Sequence, residues 1–127
     1  VMNPILPPHT TLCPLTDIPD GGGHLLWFDG VTPLPAYAKG AFGLVLLRSG
    51  AQVFGYVNRC AHFGVPLAQK QEHLRLVPGQ AVRCNVHAAH YDWAEGHCVS
   101  GECAGEGLLR VPVQVGADGW IRTAALP

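Results

Sequence analysis

Residues 58–68, NRCAHFGVPLA, and residues 82–93, VRCNVHAAHYDW, decide how this chain is to be read. The first stretch holds Cys60-Ala61-His62 and the second Cys84-Asn85-Val86-His87, with 21 residues between the two pairs. One thiolate and one imidazole from each stretch make four metal donors, enough for one tetrahedral zinc or for two ligands on each of two irons. Taken singly, such a cysteine or histidine is more often a small buried side chain or a hydrogen-bonded core residue. Their joint spacing is what points to a metal.

Outward from these pairs, short apolar stretches alternate with turn signals: HLLWFD (24–29), AFGLVLL (41–47), AQVFGYVN (51–58), QAVRCNV (80–86), HYDW (90–93), LLRVPVQV (108–115) and GWIRTA (119–124). RSG (48–50) and ADG (117–119) read as hairpin turns, and no window carries a helical period of useful length. With 16 Gly and 11 Pro breaking the chain into strand-sized pieces, the expected fold class is all-β, built of antiparallel strands. Alternation in residues 51–58 puts Val53, Gly55 and Val57 on one face and Gln52, Phe54, Tyr56 and Asn58 on the other. That strand delivers Cys60 just past its end, and the second pair follows another strand, so both pairs sit at turns on a rigid scaffold.

Zinc modules usually repeat similar knuckles and often end in a short helix, whereas these pairs are unequal and lie in an all-β surround. The wording then favours iron. The run C-A-H-F-G-V-P-L followed by C-N-V-H-A-A-H-Y-D-W resembles the Rieske iron-sulfur family, whose pattern is C-x-H-x-G and then C-x-x-H. The resemblance implies a Rieske fold, an antiparallel β base with a small cluster-binding part of two loops. It also implies one Rieske-type [2Fe-2S] cluster as cofactor, with Cys60 and Cys84 on the inner iron and His62 and His87 on the outer one. Gly64 would allow the tight first loop, and Tyr91 would donate a hydrogen bond towards the cluster. The 127 residues suit one domain, with a base of approximately residues 10–57 and 108–127 and a cluster-binding part of approximately 58–107.

Several positions depart from the family pattern. Relatives of the cytochrome bc type carry an extra cysteine in each loop and join them by a disulfide, and here those places hold Val65 and Val86. Their serine after the second histidine is replaced by Ala89, and the usual glycine there by Ala88. Without that bridge and that hydroxyl the cluster should have a lower potential than in the bc-type proteins, while Tyr91 should lift it above that of a ferredoxin with phenylalanine there.

Composition narrows the function. A net charge of -1 with both signs dispersed leaves no basic stripe for a nucleic-acid backbone, and the longest apolar runs are strand-length rather than membrane-spanning. The expectation is a cytoplasmic protein that binds neither nucleic acid nor membrane. Five cysteines form an odd set, which suits metal ligation better than a disulfide framework. Cys13 reads as a packed strand residue, Cys98 and Cys103 as free thiols in a reducing compartment, and His90 as a surface histidine beside the metal rather than a ligand.

The resemblance implies an electron-transfer protein, not an enzyme in itself, whose partners are redox proteins: a reductase on one side and an oxygenase or other acceptor on the other. Two alternatives use the same residues. One is a small Rieske-like subunit of a larger oxidoreductase such as assimilatory nitrite reductase, and the other is a zinc-stabilised binding module.

Overall fold

Four consecutive apolar residues, Leu44, Val45, Leu46 and Leu47, are completely buried. Successive side chains on a strand point to opposite faces, so such a run needs apolar cover on both sides. The computed structural model, which describes residues 9–29, 41–58, 68, 70–77, 79–83, 90–100 and 107–124, supplies that cover.

Ten strands are present among these residues: β1 (Thr11–Pro14), β2 (Gly23–Asp29), β3 (Ala41–Ser49), β4 (Gln52–Val57), β5 (Arg75–Val77), β6 (Ala81–Arg83), β7 (His90–Asp92), β8 (Cys98–Ser100), β9 (Val113–Val115) and β10 (Trp120–Thr123). Single 3-10 turns cover Leu15–Asp17 and Gln71–His73. The strands form three antiparallel sheets, ordered β1-β10-β9, β2-β3-β4 and β5-β6-β7-β8.

The β2-β3-β4 sheet lies between the other two. On one face Leu44, Leu46 and Val57 pack with Cys13, Ile18, Val111 and Ile121. On the other, Val45, Leu47 and Tyr56 pack with Val82, Tyr91 and Trp93. Each fully buried aliphatic side chain contributes about 1.5–3 kcal/mol by leaving water, so this double-sided strand is the main apolar tie between the layers. The two faces read from residues 51–58 are the observed ones: Val53 and Val57 belong to the first core, Phe54 and Tyr56 to the second.

Both hairpin turns form, with Gly50 at φ 62° after β3 and Gly119 at φ 82° before β10. β2 is a sheet edge, and a side chain blunts it. Gln71 accepts a hydrogen bond from Leu25 N (2.7 Å) and donates one to Gly23 O (2.8 Å), occupying backbone groups that would otherwise invite another strand.

Residues 108–112 differ from the strand expected for LLRVPVQV. They lie beside β4 through Val57 N to Leu109 O and Val111 N to Gly55 O, both 2.8 Å, and through an isolated bridge between Tyr56 and Arg110. Pro112 has no N–H to extend that ladder, and the chain then turns to pair with β10 as β9. Two short strands, β5 and β8, escaped the sequence reading because three residues carry too little alternation to register.

Gly96 closes the turn between β7 and β8 at φ 76°, and a Cβ there would stand 2.6 Å from the Tyr56 ring. Gly50 has a similar positive φ but open space around it. Gly96→Ala should therefore destabilise the fold by at least about 2 kcal/mol, and Gly50→Ala by about 1 kcal/mol, in urea unfolding. Equal losses would show that the Tyr56 contact carries no weight.

Candidate metal centre

The four proposed ligands, Cys60, His62, Cys84 and His87, lie outside the described residues, as do Gly64, Val65, Val86, Ala88 and Ala89. What the structure describes is the framework from which their two segments arise. Residues 59–67 leave the end of β4 at Asn58 and return at Ala68. Residues 84–89 join β6 to β7, directly beyond the register pairs Arg83 with His90 and Val82 with Tyr91.

The roots of both segments share one core. Ala68, Val82, Tyr91 and Trp93 pack together with Tyr56, Val45 and Leu47, each at most 1% exposed. Residues that bound both segments, Ala68 on one side and Val82 and Tyr91 on the other, therefore belong to the same packed cluster. That cluster is aromatic and aliphatic, without a charged side chain among its members. A bound group of modest net charge suits such surroundings far better than an isolated ion. Two thiols and two imidazoles, the donors that these two segments carry in sequence, suit a cluster whose second iron takes histidines in place of cysteines.

Hydrogen bonds lock the framework. The Tyr56 hydroxyl donates to the Trp93 carbonyl, and burial pushes its pKa up to about 12, so it stays a neutral donor at ordinary pH. Asp92 Oδ1 accepts from Glu95 N (2.7 Å) and Gly96 N (3.0 Å), which shapes the turn after β7. Leu108 N donates to Gly96 O (2.8 Å), pinning that turn against the returning chain. The Trp93 indole Nε1–H is buried and has no hydrogen-bond acceptor among the described residues.

At the end of β4, Asn58 is completely buried. Its backbone N–H donates to Gly43 O at 2.8 Å. Its carboxamide Nδ2 donates to Ala68 O (2.8 Å), and its Oδ1 accepts from Ala68 N (3.3 Å). Sequence reading missed Asn58, Tyr56 and Gly96 as parts of the site's support. Only for Asn58 was a signal present: a polar side chain on the apolar face of β4, in line with Phe54 and Tyr56.

Tyr91, predicted beside the cluster, is fully buried on β7 and two residues beyond the second segment. His90, which precedes it, is partly buried. Cys13 is the packed strand residue expected; its thiol is free and pushed up to about 11 by burial, with Asp17 adding to the shift. Cys98 corrects the reading of a free thiol, because it is disulfide-bonded. Cys13 being free, its partner is one of the three cysteines outside the described residues. Whether two cysteines pair depends on how close the fold brings their Cβ atoms, and the compartment argument behind the free-thiol expectation ignores that geometry.

Comparison with known proteins gives the family. No curated protein matches the chain by sequence. Among solved structures, the ferredoxin of carbazole 1,9a-dioxygenase from Nocardioides aromaticivorans IC177 superposes with a TM-score of 0.64 at 18% identity, covering 93% of this chain and 98% of that one. A ferredoxin from Sphingomonas yanoikuyae B1 gives 0.65 at 21% identity, covering 94% and 99%. A chain from the complex of reduced oxygenase and oxidised ferredoxin in carbazole 1,9a-dioxygenase gives 0.66 at 21%, covering 96% and 94%. At these identities the likeness shows the shared fold. Residues 12–115, which include both cysteine-histidine pairs and the whole of the β2-β3-β4 and β5-β6-β7-β8 sheets, match the Rieske [2Fe-2S] domain, a family that binds a [2Fe-2S] cluster, and the chain belongs to that family.

Proposed function

We propose that this protein carries single electrons from a reductase to an oxygenase or other acceptor, using one Rieske-type [2Fe-2S] cluster held by Cys60, His62, Cys84 and His87. The observation that carries the reading is the common apolar core at the roots of the two segments that bear these residues. The near end-to-end correspondence with solved ferredoxins supports a carrier rather than a substrate-binding enzyme, and one such relative is part of a complex with its oxygenase. The base would comprise residues 10–57 and 108–127, with residues 58–107 as the cluster-binding part. A cytoplasmic place, away from nucleic acid and membrane, completes the proposal; no helix among the described residues is long and apolar enough to cross a membrane.

When bound, the cluster supplies a one-electron couple. The chain's own residues set the conditions under which it works. Neutral imidazoles in place of two thiolates leave the site less negative, which eases reduction. The second nitrogen of each imidazole can hold or release a proton, which links the couple to pH. The buried floor of Val82, Tyr91 and Trp93 keeps water from the inner side, and Tyr91 offers a hydroxyl at the root of the second segment. With Cys60 and Cys84 committed to iron, Cys103 is the partner left for Cys98.

Protein purified without oxygen should be brown, contain two irons and two acid-labile sulfides, and give a Rieske-type electron paramagnetic resonance signal when reduced. A colourless protein with one zinc would replace this reading with the zinc module. Redox titration should place the midpoint toward the lower part of the family's range of about -150 to +300 mV. Tyr91→Phe should lower it further by roughly 40 mV, which for one electron corresponds to about 1 kcal/mol, the worth of one hydrogen bond. A midpoint unmoved by that substitution would remove Tyr91 from the tuning of the site. In alkylation under denaturing conditions, Cys98 and Cys103 should stay unmodified until a reductant is added, while Cys13 reacts at once.

A further inference from the structure

We infer that Asn58 is a positioning residue: its carboxamide clasps the two ends of residues 59–67 and thereby fixes the segment that presents Cys60 and His62 to the metal. The inference rests on the cluster-binding role proposed for those two residues. The clasp itself lies wholly within described residues.

A nine-residue excursion, 59–67, must return to where it started for its two donors to hold a fixed position. The ordinary device is a backbone ladder between its ends. Here β4 stops at Val57, and a side chain takes over. The Asn58 carboxamide donates to Ala68 O at 2.8 Å and accepts from Ala68 N at 3.3 Å, satisfying both backbone groups of one residue as a neighbouring strand would. Only asparagine and glutamine offer a donor and an acceptor side by side in one planar group, and the shorter of the two suits a contact made directly from the strand end.

Asn58 is fixed in its turn. Its backbone N–H is bonded to Gly43 O, and the preceding Val57 N–H to Leu109 O, so the strand end is held on both sides. A side chain at position 43 would intrude here: a Cβ on Gly43 would lie 3.0 Å from Asn58 Cβ and 2.8 Å from the Trp27 ring. Asn58 and Ala68 are 0% and 1% exposed. With water excluded, breaking the clasp leaves buried amide groups unsatisfied, so the open state is strongly disfavoured. Further along the returning chain, Gln71 forms a similar two-way pairing with β2. The two carboxamides make a natural comparison, since only the first bonds to the residue that directly follows residues 59–67.

The test uses the iron-loaded protein and a strong ferrous chelator in native buffer, following iron release by absorbance. Asn58→Ala should bind its full complement of iron and release it at least about tenfold faster than the parent, whereas Gln71→Ala, which removes a similar two-way pairing with backbone groups, should release it at the parent rate. Equal acceleration by both variants, or none by Asn58→Ala, overturns the positioning role. Should Asn58→Ala fail to fold, amide hydrogen exchange in the parent decides: slow exchange at Ala68 supports the clasp and fast exchange overturns it. Zinc in place of iron in the parent would refute the cluster reading, while slow exchange at Ala68 would still report a closed clasp.

Discussion

The structure depends on the two-sided burial of β3. Leu44 and Leu46 face one core, Val45 and Leu47 the other, and all four are removed from water. A strand buried on only one side would have left either the β1-β10-β9 sheet or the β5-β8 sheet without an apolar partner. Both outer sheets are small, with several strands of three residues, and such strands hold together only when packed against something larger. The metal-bearing part is therefore stabilised through β3 and β4, and not by its own hydrogen bonds alone.

This arrangement explains why the support of the site is aromatic. Tyr56, on β4, reaches across the second core to the carbonyl of Trp93, and Gly96 is bare because that tyrosine's ring fills the space. Tyr91 and Val82 stand side by side on β7 and β6 at the root of the second segment. The result is a dry, uncharged core at the ends of both segments. In such surroundings the charge state of a bound group weighs heavily, and small changes in hydrogen bonding shift its potential. Asn58 bonds to Ala68, a member of the same core, so residues that bound both segments are referred to one packed cluster.

Much of this was legible in the chain. The strands centred on residues 24–29, 41–47, 51–57 and 120–123 follow from their apolar runs and turn residues, and the assignment of β4's two faces follows from strict alternation. The short strands did not show, because β5 and β8 are defined by their neighbours and not by their own composition. Arg110 and Pro112 sit in a stretch that looks like one strand but is divided between β4 and β10, a choice made by the missing N–H of proline. The disulfide at Cys98 was misread because a rule about compartments stood in for the geometry of the residue.

What the sequence determined by itself was the family pattern: two cysteine-histidine pairs of unequal spacing, the residues that depart from the bc-type pattern, and an all-β surround. Those are local properties, fixed by which residue types stand at which spacing. Only the tertiary structure decided how the residues that bound the two segments are held. That Asn58 bonds to Ala68, that Tyr56 bonds to Trp93, and that one core serves both segments are contacts between residues 10 to 37 positions apart or more. Such contacts leave no periodic trace in the chain, because they arise from how the sheets stack on β3.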